Sequence, residues 1–78
     1  MKQEQLKNSY NKTKDALDLT ERTFWTIFSV AETSGEHIPE LRVALTELLN
    51  VETHAMNHLK YLKSQILNHL RTNDPEKV

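Results

Sequence analysis

One short segment, Gly35 to Pro39, is the only place near the middle of this chain where residues that break helices come close together. The 78-residue sequence contains one glycine and two prolines, and the second proline, Pro75, lies near its end. So few breakers predict long elements joined by few turns. The β-branched residues are scattered and do not alternate with polar ones, which disfavours strands. We therefore expect an all-α fold.

The residues before Gly35 follow the spacing of a helix that packs along one stripe. The apolar or semi-apolar positions, at alternating steps of four and three, are Leu6, Tyr10, Thr13, Leu17, Thr20, Phe24, Ile27, Ala31 and Ser34. This alternation is the repeat of a helix seam in a coiled coil. It predicts a helix over about 3–34, with Gly35 as a left-handed cap residue.

A second stripe with the same spacing follows Pro39, a residue that is favoured in the first helical turn. Its predicted seam is Ile38, Leu41, Leu45, Leu48, Glu52, Ala55, Leu59, Leu62 and Ile66, followed by His69 or Leu70. The prediction is a helix over about 39–72, ended by the approach to Pro75. Residues 73–78 are expected to form a frayed tail of a single domain spanning 1–78.

The two predicted helices form a hairpin, because a connection this short makes them antiparallel neighbours. The sequence has no cysteine, so no disulfide can stabilise a chain of this size. Leu49, Met56 and Leu67 flank the second seam on one side, and Ala44 and Val51 flank it on the other. A lone hairpin cannot cover so wide an apolar arc. We therefore expect two hairpins to pair into a four-helix-bundle homodimer.

The charges vary along the predicted rod. Residues 1–14 carry a balance of +3, residues 15–52 a balance of −6, and residues 53–72 a balance of +3. Folding at the turn makes the open end basic and the tip and middle acidic. This layout predicts an antiparallel homodimer, with the two tips at opposite ends.

A polar patch is predicted within the seam, because Glu52 occupies a position where leucine or alanine would be expected. A buried carboxylate needs a partner. In an antiparallel hairpin Glu52 lies roughly opposite Thr20 to Arg22, so Arg22 is the expected counter-ion and Thr20 a possible hydrogen-bond donor. The structural interpretation is that this patch specifies the register of the helices. The alternative is a proton-binding carboxylate.

His54 and His58 are spaced one helical turn apart and could both contact one metal ion. Such a pair is a weak signal, and the third ligand would have to come from Glu47 or from a partner chain. The alternative is that both histidines are polar surface residues. The Glu-x-x-His motif of di-metal bundles is absent. We expect no cofactor and no enzymatic activity.

Four residues are candidates for contact with another protein: Trp25, Phe28, Leu49 and Met56. Trp25 points away from the first stripe, and exposed aromatic residues often mark binding sites. Burial in the bundle is the competing interpretation for Trp25. For Leu49 and Met56 the competing interpretation is a place in the core or in the dimer seam.

The basic end of the rod offers candidate phosphate contacts: Lys7, Lys12, Lys14, Lys60, Lys63 and Arg71. The inferred architecture is similar in shape to the small dimeric helical-hairpin regulators of the Rop type, which bind RNA, although no residue motif extends the likeness to activity. The net charge of −1 argues against strong attraction to nucleic acid or to an anionic membrane.

The leading functional prediction is a non-enzymatic protein–protein interaction or regulatory module that acts as a homodimer. A nucleic-acid-binding hairpin that uses the basic end is the alternative. We expect a cytoplasmic location, since the sequence has no cysteine and nothing in it resembles a signal peptide. No stretch is apolar enough to predict insertion into a membrane.

Overall fold

The structure is a computed structural model that describes the backbone of residues 2–72 and the side chains of residues 3–72. Helix α1 spans Lys2–Ser34 and helix α2 spans Arg42–Thr72. A turn of 3-10 helix, Pro39–Leu41, leads directly into α2. The predicted all-α hairpin is confirmed. The predicted tail at 73–78 lies outside the described residues.

The hairpin is a thin rod that measures 60 × 15 × 14 Å. Its one internal seam runs the whole length between α1 and α2. At one end of the rod, which we call the open end, the side-chain amide of Gln3 donates a hydrogen bond to the Leu70 carbonyl oxygen at 3.1 Å. The other end, which we call the tip, is the connection from Gly35 to Leu41.

The α1 stripe is confirmed, because every predicted seam position from Leu6 to Ser34 is buried or half-buried. Leu17 and Thr13 are the most enclosed of these side chains, with 6% and 8% of their surface exposed. Among the side chains of residues 3–72, no large one is fully buried. The seam is therefore a strip of partial contact, without the enclosed core of a globular domain.

The α2 seam differs from its prediction by a rotation of the helix. The half-buried positions that follow the four-three repeat are Leu45, Leu49, Glu52, Met56, Leu59, Lys63, Ile66 and Leu70. Leu48 and Leu62, which were predicted to lie inside, are 48% and 47% exposed. From Leu45 to Ile66 the two seams share every second position, so helical periodicity did not distinguish them, whereas the predicted positions Ile38 and Leu41 are exposed.

The tip turns without a left-handed residue, which corrects the predicted role of Gly35. The Gly35 backbone does not adopt a positive φ. Its N–H donates to the Ala31 carbonyl oxygen at 3.0 Å, and the N–H groups of His37 and Ile38 both donate to the Ser34 carbonyl oxygen. Glycine is needed here for space, because a Cβ at residue 35 would overlap the carbonyl oxygen of Ala31.

Arg42 links the start of α2 to the end of α1. Its Nε donates a hydrogen bond to the Gly35 carbonyl oxygen at 2.9 Å. A carbonyl near the C-terminal end of a helix lacks an intrahelical partner, and a cationic donor there also interacts favourably with the helix dipole. This contact fixes the direction in which α2 leaves the turn.

Candidate interaction surfaces

The rotation of α2 leaves a second stripe on its surface. Leu41, Ala44, Leu48, Val51, Ala55, His58, Leu62, Gln65 and His69 are separated by alternating steps of three and four residues. All of them are exposed except Ala55, which is half-buried. This is again the repeat of a helix that packs against another helix, although nothing in the hairpin covers the stripe.

Two exposed apolar residues of α1, Leu19 and Val30, lie on the same side of the hairpin as this stripe. Three helical turns separate them, and neither belongs to the α1 seam. In an antiparallel pair, flanking positions on the same side of the seam in both helices lie side by side. We define the apolar face as the six exposed side chains Leu19, Val30, Leu41, Leu48, Val51 and Leu62.

The assignment of sides agrees with the packing at the tip. A shallow depression there is lined by residues of both helices, including Glu32 of α1 and Thr46 of α2. Glu32 and Val30 project from opposite sides of α1, and Thr46 and Leu48 project from opposite sides of α2. Glu32 and Thr46 therefore lie together on one side, and the apolar face lies on the other.

The apolar face is poor in charge. Within residues 3–72, no carboxylate projects from the α1 and α2 positions that form it, and its one lysine is Lys12. The carboxylates of the two helices lie elsewhere: Glu4, Asp18, Glu21 and Glu32 are on the opposite side of α1, Glu52 is in the seam, and Asp15 and Glu47 are at the edges of the face. Exposed apolar area without carboxylates is the kind of surface that marks a protein contact.

The opposite side of α1 carries a cluster of three aromatic rings. Phe24, Trp25 and Phe28 have ring centroids 5.3 to 6.4 Å apart, and both pairs that include Trp25 meet edge to face. Phe24 belongs to the seam, whereas Trp25 is 61% exposed and Phe28 is 38% exposed. We define the aromatic face as Trp25 and Phe28 with their acidic neighbours Asp18, Glu21 and Glu32.

The other two predicted partner-contact residues occupy a different environment. Leu49 and Met56 are half-buried in the seam between α1 and α2. Trp25 and Phe28 are exposed, and they lie on the side away from the apolar face. The four residues therefore do not form one surface.

The predicted polar patch takes a different form in the structure. Thr20 donates its hydroxyl hydrogen to the Ala16 carbonyl oxygen at 2.8 Å, and Thr13 donates to the Ser9 carbonyl oxygen at 2.7 Å. Arg22 is exposed and lines a shallow surface depression with Trp25 and Asp18, whereas Glu52 is half-buried on α2. Thr20 is therefore not the donor to Glu52. Threonine inside a helix readily satisfies its hydroxyl on the preceding turn of the same helix.

His54 and His58 lie on α2 one turn apart, and both are exposed. His58 belongs to the second stripe, whereas His54 lies outside it. Within the residues that the structure describes, no group of three or more histidine, cysteine, aspartate or glutamate residues is placed to hold a metal ion. Glu47 therefore does not complete a site with the two histidines.

The candidate basic residues are distributed around the open end. Lys7, Lys14 and Lys60 project to the side that carries the aromatic face, while Lys12 projects to the apolar face. Lys63 is half-buried in the seam, and its Nζ lies 6.0 Å from the centroid of the Tyr10 ring. Arg71 is exposed near the end of α2. Three lysines thus share one side, and Lys63 has an aromatic partner within the hairpin.

Neither described helix combines the length and the hydropathy that crossing a bilayer requires.

The apolar face was not predicted, because Leu48 and Leu62 were assigned to the interior. The signal that could have revealed it is the repeat through Leu41, Ala44, Leu48 and Val51, which continues beside the seam with the same spacing. Comparison with known proteins adds no further candidate residues: no family model, no curated protein and no solved structure matches this chain.

Proposed function

We propose that this protein is a small non-enzymatic helical module that acts as a homodimer and binds another protein. The observation that carries the proposal is the apolar face. Leu19 and Val51 expose 65% and 61% of their surface, and Leu48 and Leu62 expose nearly half of theirs. Such side chains, aligned at helical spacing along two helices, favour contact with a further helical surface.

The size of the exposed surface supports self-association. A compact monomer of 9.1 kDa exposes about 4900 Å². The whole chain exposes 6180 Å², about a quarter more. Pairing two hairpins into a four-helix bundle would remove much of this excess on each copy.

The non-enzymatic part of the proposal rests on the sequence, in which no paired nucleophile and base or cofactor motif occurs. A cytoplasmic location is proposed on the cysteine-free composition.

A second candidate function is nucleic-acid binding at the open end. The specific observation in its favour is that Lys7, Lys14 and Lys60 share one side of the rod. Lysines in such a group can contact consecutive phosphates. A gel shift with single-stranded and duplex RNA and DNA over a salt series tests this candidate. Retarded complexes that weaken steeply with salt, and that are lost when the three lysines are replaced by glutamine, would favour it over the first proposal.

Light scattering over a concentration series, with Trp25 fluorescence read on the same samples, tests the leading proposal. We expect the mass of two chains at micromolar concentration. A folded monomer at every concentration would contradict the homodimer. The emission maximum then shows whether dimerisation covers Trp25.

A further inference from the structure

We infer that the second copy docks on the apolar face, with its tip at the opposite end of the rod. In this arrangement α2 packs antiparallel against α2 of the second copy. Ala55 and His58 then lie on either side of the two-fold axis. This inference rests on the proposed homodimer and deepens it. It also assigns the aromatic face to the outside of the dimer.

The choice of face follows from the spacing of the stripe on α2. A helix in a four-helix bundle contacts two neighbours and therefore needs two adjacent stripes. On α2 the first stripe faces α1, and the second, from Ala44 through Val51 to Leu62, is exposed except at the half-buried Ala55. Exposed leucine and valine at this repeat are suited to packing against another helix of the same kind.

The distribution of carboxylates excludes the opposite side as the main contact. Covering the aromatic face would bring Asp18, Glu21 and Glu32 of α1 out of water. Removing these carboxylates from water is costly even though Lys7, Lys14 and Lys60 lie on the same side, because the desolvation of a buried ion pair can exceed the attraction between its charges. Within residues 3–72, the positions that form the apolar face contribute no carboxylate.

The orientation follows from the charge along the rod. Residues 15–52 carry a balance of −6, and residues 53–72 carry a balance of +3. Placing the two tips together would bring like charges together, whereas opposite tips set each acidic tip beside a basic open end.

The symmetry then determines which helices touch. Two rods packed face to face with tips at opposite ends are related by a two-fold axis that lies in the interface and runs across the rods. This axis places α2 on α2 of the second copy and α1 on α1. With tips adjacent, α1 would instead lie on α2 of the second copy. The pairs of helices in contact therefore distinguish the two arrangements.

The register follows when the rods overlap over their full length. The midpoint of α2, which spans Arg42–Thr72, is residue 57. Within the exposed stripe, Ala55 and His58 are the residues on either side of this midpoint. The next layer brings Val51 against Leu62 of the second copy. A small alanine at the centre allows the two α2 helices to approach closely.

Single cysteines in this cysteine-free chain test the arrangement. Ala55→Cys should be crosslinked to its own counterpart by a short bismaleimide. Asn57→Cys lies at the same height on the side away from the apolar face and should not be crosslinked. Ala44→Cys is in the stripe but near the tip, and its two copies should be roughly 38 Å apart in the antiparallel dimer.

The outcomes test the orientation, the choice of face and the homodimer separately. Crosslinking at residue 55 alone supports the inference, provided that circular dichroism shows unchanged helix content. Dimers crosslinked at 44, whether or not they also form at 55, would overturn the antiparallel orientation but keep the homodimer. Crosslinking through residue 57 would overturn the assignment of the face. A chain that remains a monomer in light scattering would remove the proposed function together with this inference.

The two neighbouring histidines provide a second, non-covalent test. His58→Leu extends the stripe next to the two-fold axis and should tighten the dimer by about tenfold or more, since each copy gains apolar contact. His54→Leu makes the same chemical change one turn away, outside the stripe, and should change the dissociation constant by less than about threefold. Equal effects of the two substitutions, or a stronger effect at residue 54, would overturn the inference.

Discussion

The apolar face and the aromatic face belong to the same thin rod, yet they differ in what surrounds their exposed side chains. On the apolar face, Leu48 and Val51 stand among alanine, threonine and histidine, and no carboxylate projects there from the described helices. On the aromatic face, Trp25 is equally exposed, but Asp18 and Glu21 stand beside it. Exposure alone therefore does not identify a self-association surface. The neighbouring charges show which of two exposed surfaces two identical chains can share.

The largest effect that distinguishes the apolar face from the rest of the surface is expected from replacing two valines of α2, one on the apolar face and one outside it. Val51 belongs to the apolar face and Val43 does not, although they are 61% and 68% exposed. We expect Val51→Glu to weaken the dimer by about a hundredfold or more, because each of two copies would place a carboxylate in the interface.

The matched control, Val43→Glu, should change the dissociation constant by less than about threefold. Sedimentation equilibrium on both variants gives the comparison directly. A dimer that withstands Val51→Glu would show that the apolar face is not the contact.

The second test disturbs the close packing of the turn at the tip, which determines how the two helices are oriented. Gly35→Ala would place a methyl group against the Ala31 carbonyl oxygen and should lower the free energy of unfolding by about 1–3 kcal/mol. Thermal unfolding followed by circular dichroism at a fixed chain concentration measures this loss. Ser34→Ala, which keeps the backbone turn, is the control. An unchanged melting temperature in Gly35→Ala would show that the close approach at the tip is not needed.

A smaller effect is expected from salt. If acidic tips lie beside basic open ends, raising the salt concentration from about 0.05 to 0.5 M should weaken the dimer by a few-fold, because exposed charge pairs are weak and are screened. The dissociation constant at several salt concentrations measures this effect. A dimer that becomes clearly tighter with salt would indicate that like charges, and hence the two tips, are adjacent.

The smallest effect is expected at the aromatic face. Trp25→Ala should leave the dissociation constant of the dimer within about twofold, since Trp25 points away from the proposed interface. In the unmodified protein, Trp25 emission should stay at the long wavelength of an exposed indole across the dimerisation range. A blue shift on dimerisation, together with weaker self-association of Trp25→Ala, would show that the dimer contact lies on the aromatic face and not on the apolar face.

The α1 helix shows how much of the fold the sequence alone determines. Its stripe from Leu6 to Ser34 was predicted position by position, because the residues on either side of it are mostly polar. The bounds of both helices were predicted to within a few residues for the same reason. The breakers occur together at Gly35 and Pro39, so the position of the turn was unambiguous.

The α2 helix shows where the sequence was insufficient. Leu48 and Leu62 on one flank are as apolar as Leu49 and Met56 on the other, so either flank could complete the seam. The pattern favoured Leu62 over Lys63, but in the structure Lys63 is half-buried and its ammonium group lies near the Tyr10 ring. A lysine can bury its methylene groups along a seam and extend its charged end outward, which hydrophobic periodicity does not register.

The hydrogen-bond partner of Thr20 differs from its prediction for a related reason. Sequence position places Thr20 opposite Glu52, but it does not indicate where the hydroxyl hydrogen points. The preceding turn of α1 offers a carbonyl oxygen at hydrogen-bond distance, and this local acceptor takes the hydrogen bond. Candidate residues in a seam can therefore be located from the repeat, whereas their bonding partners depend on rotamers.

The tight connection at the tip has a consequence for how this chain folds. Because only a few residues separate Ser34 from Arg42, closing the hairpin there costs less loop entropy than any contact between more distant residues. Pairing should therefore start at the tip and proceed toward Gln3 and Leu70, with the fast kinetics of proteins rich in local contacts. The encounter of two chains, which depends on concentration, would then be the slow step of assembly.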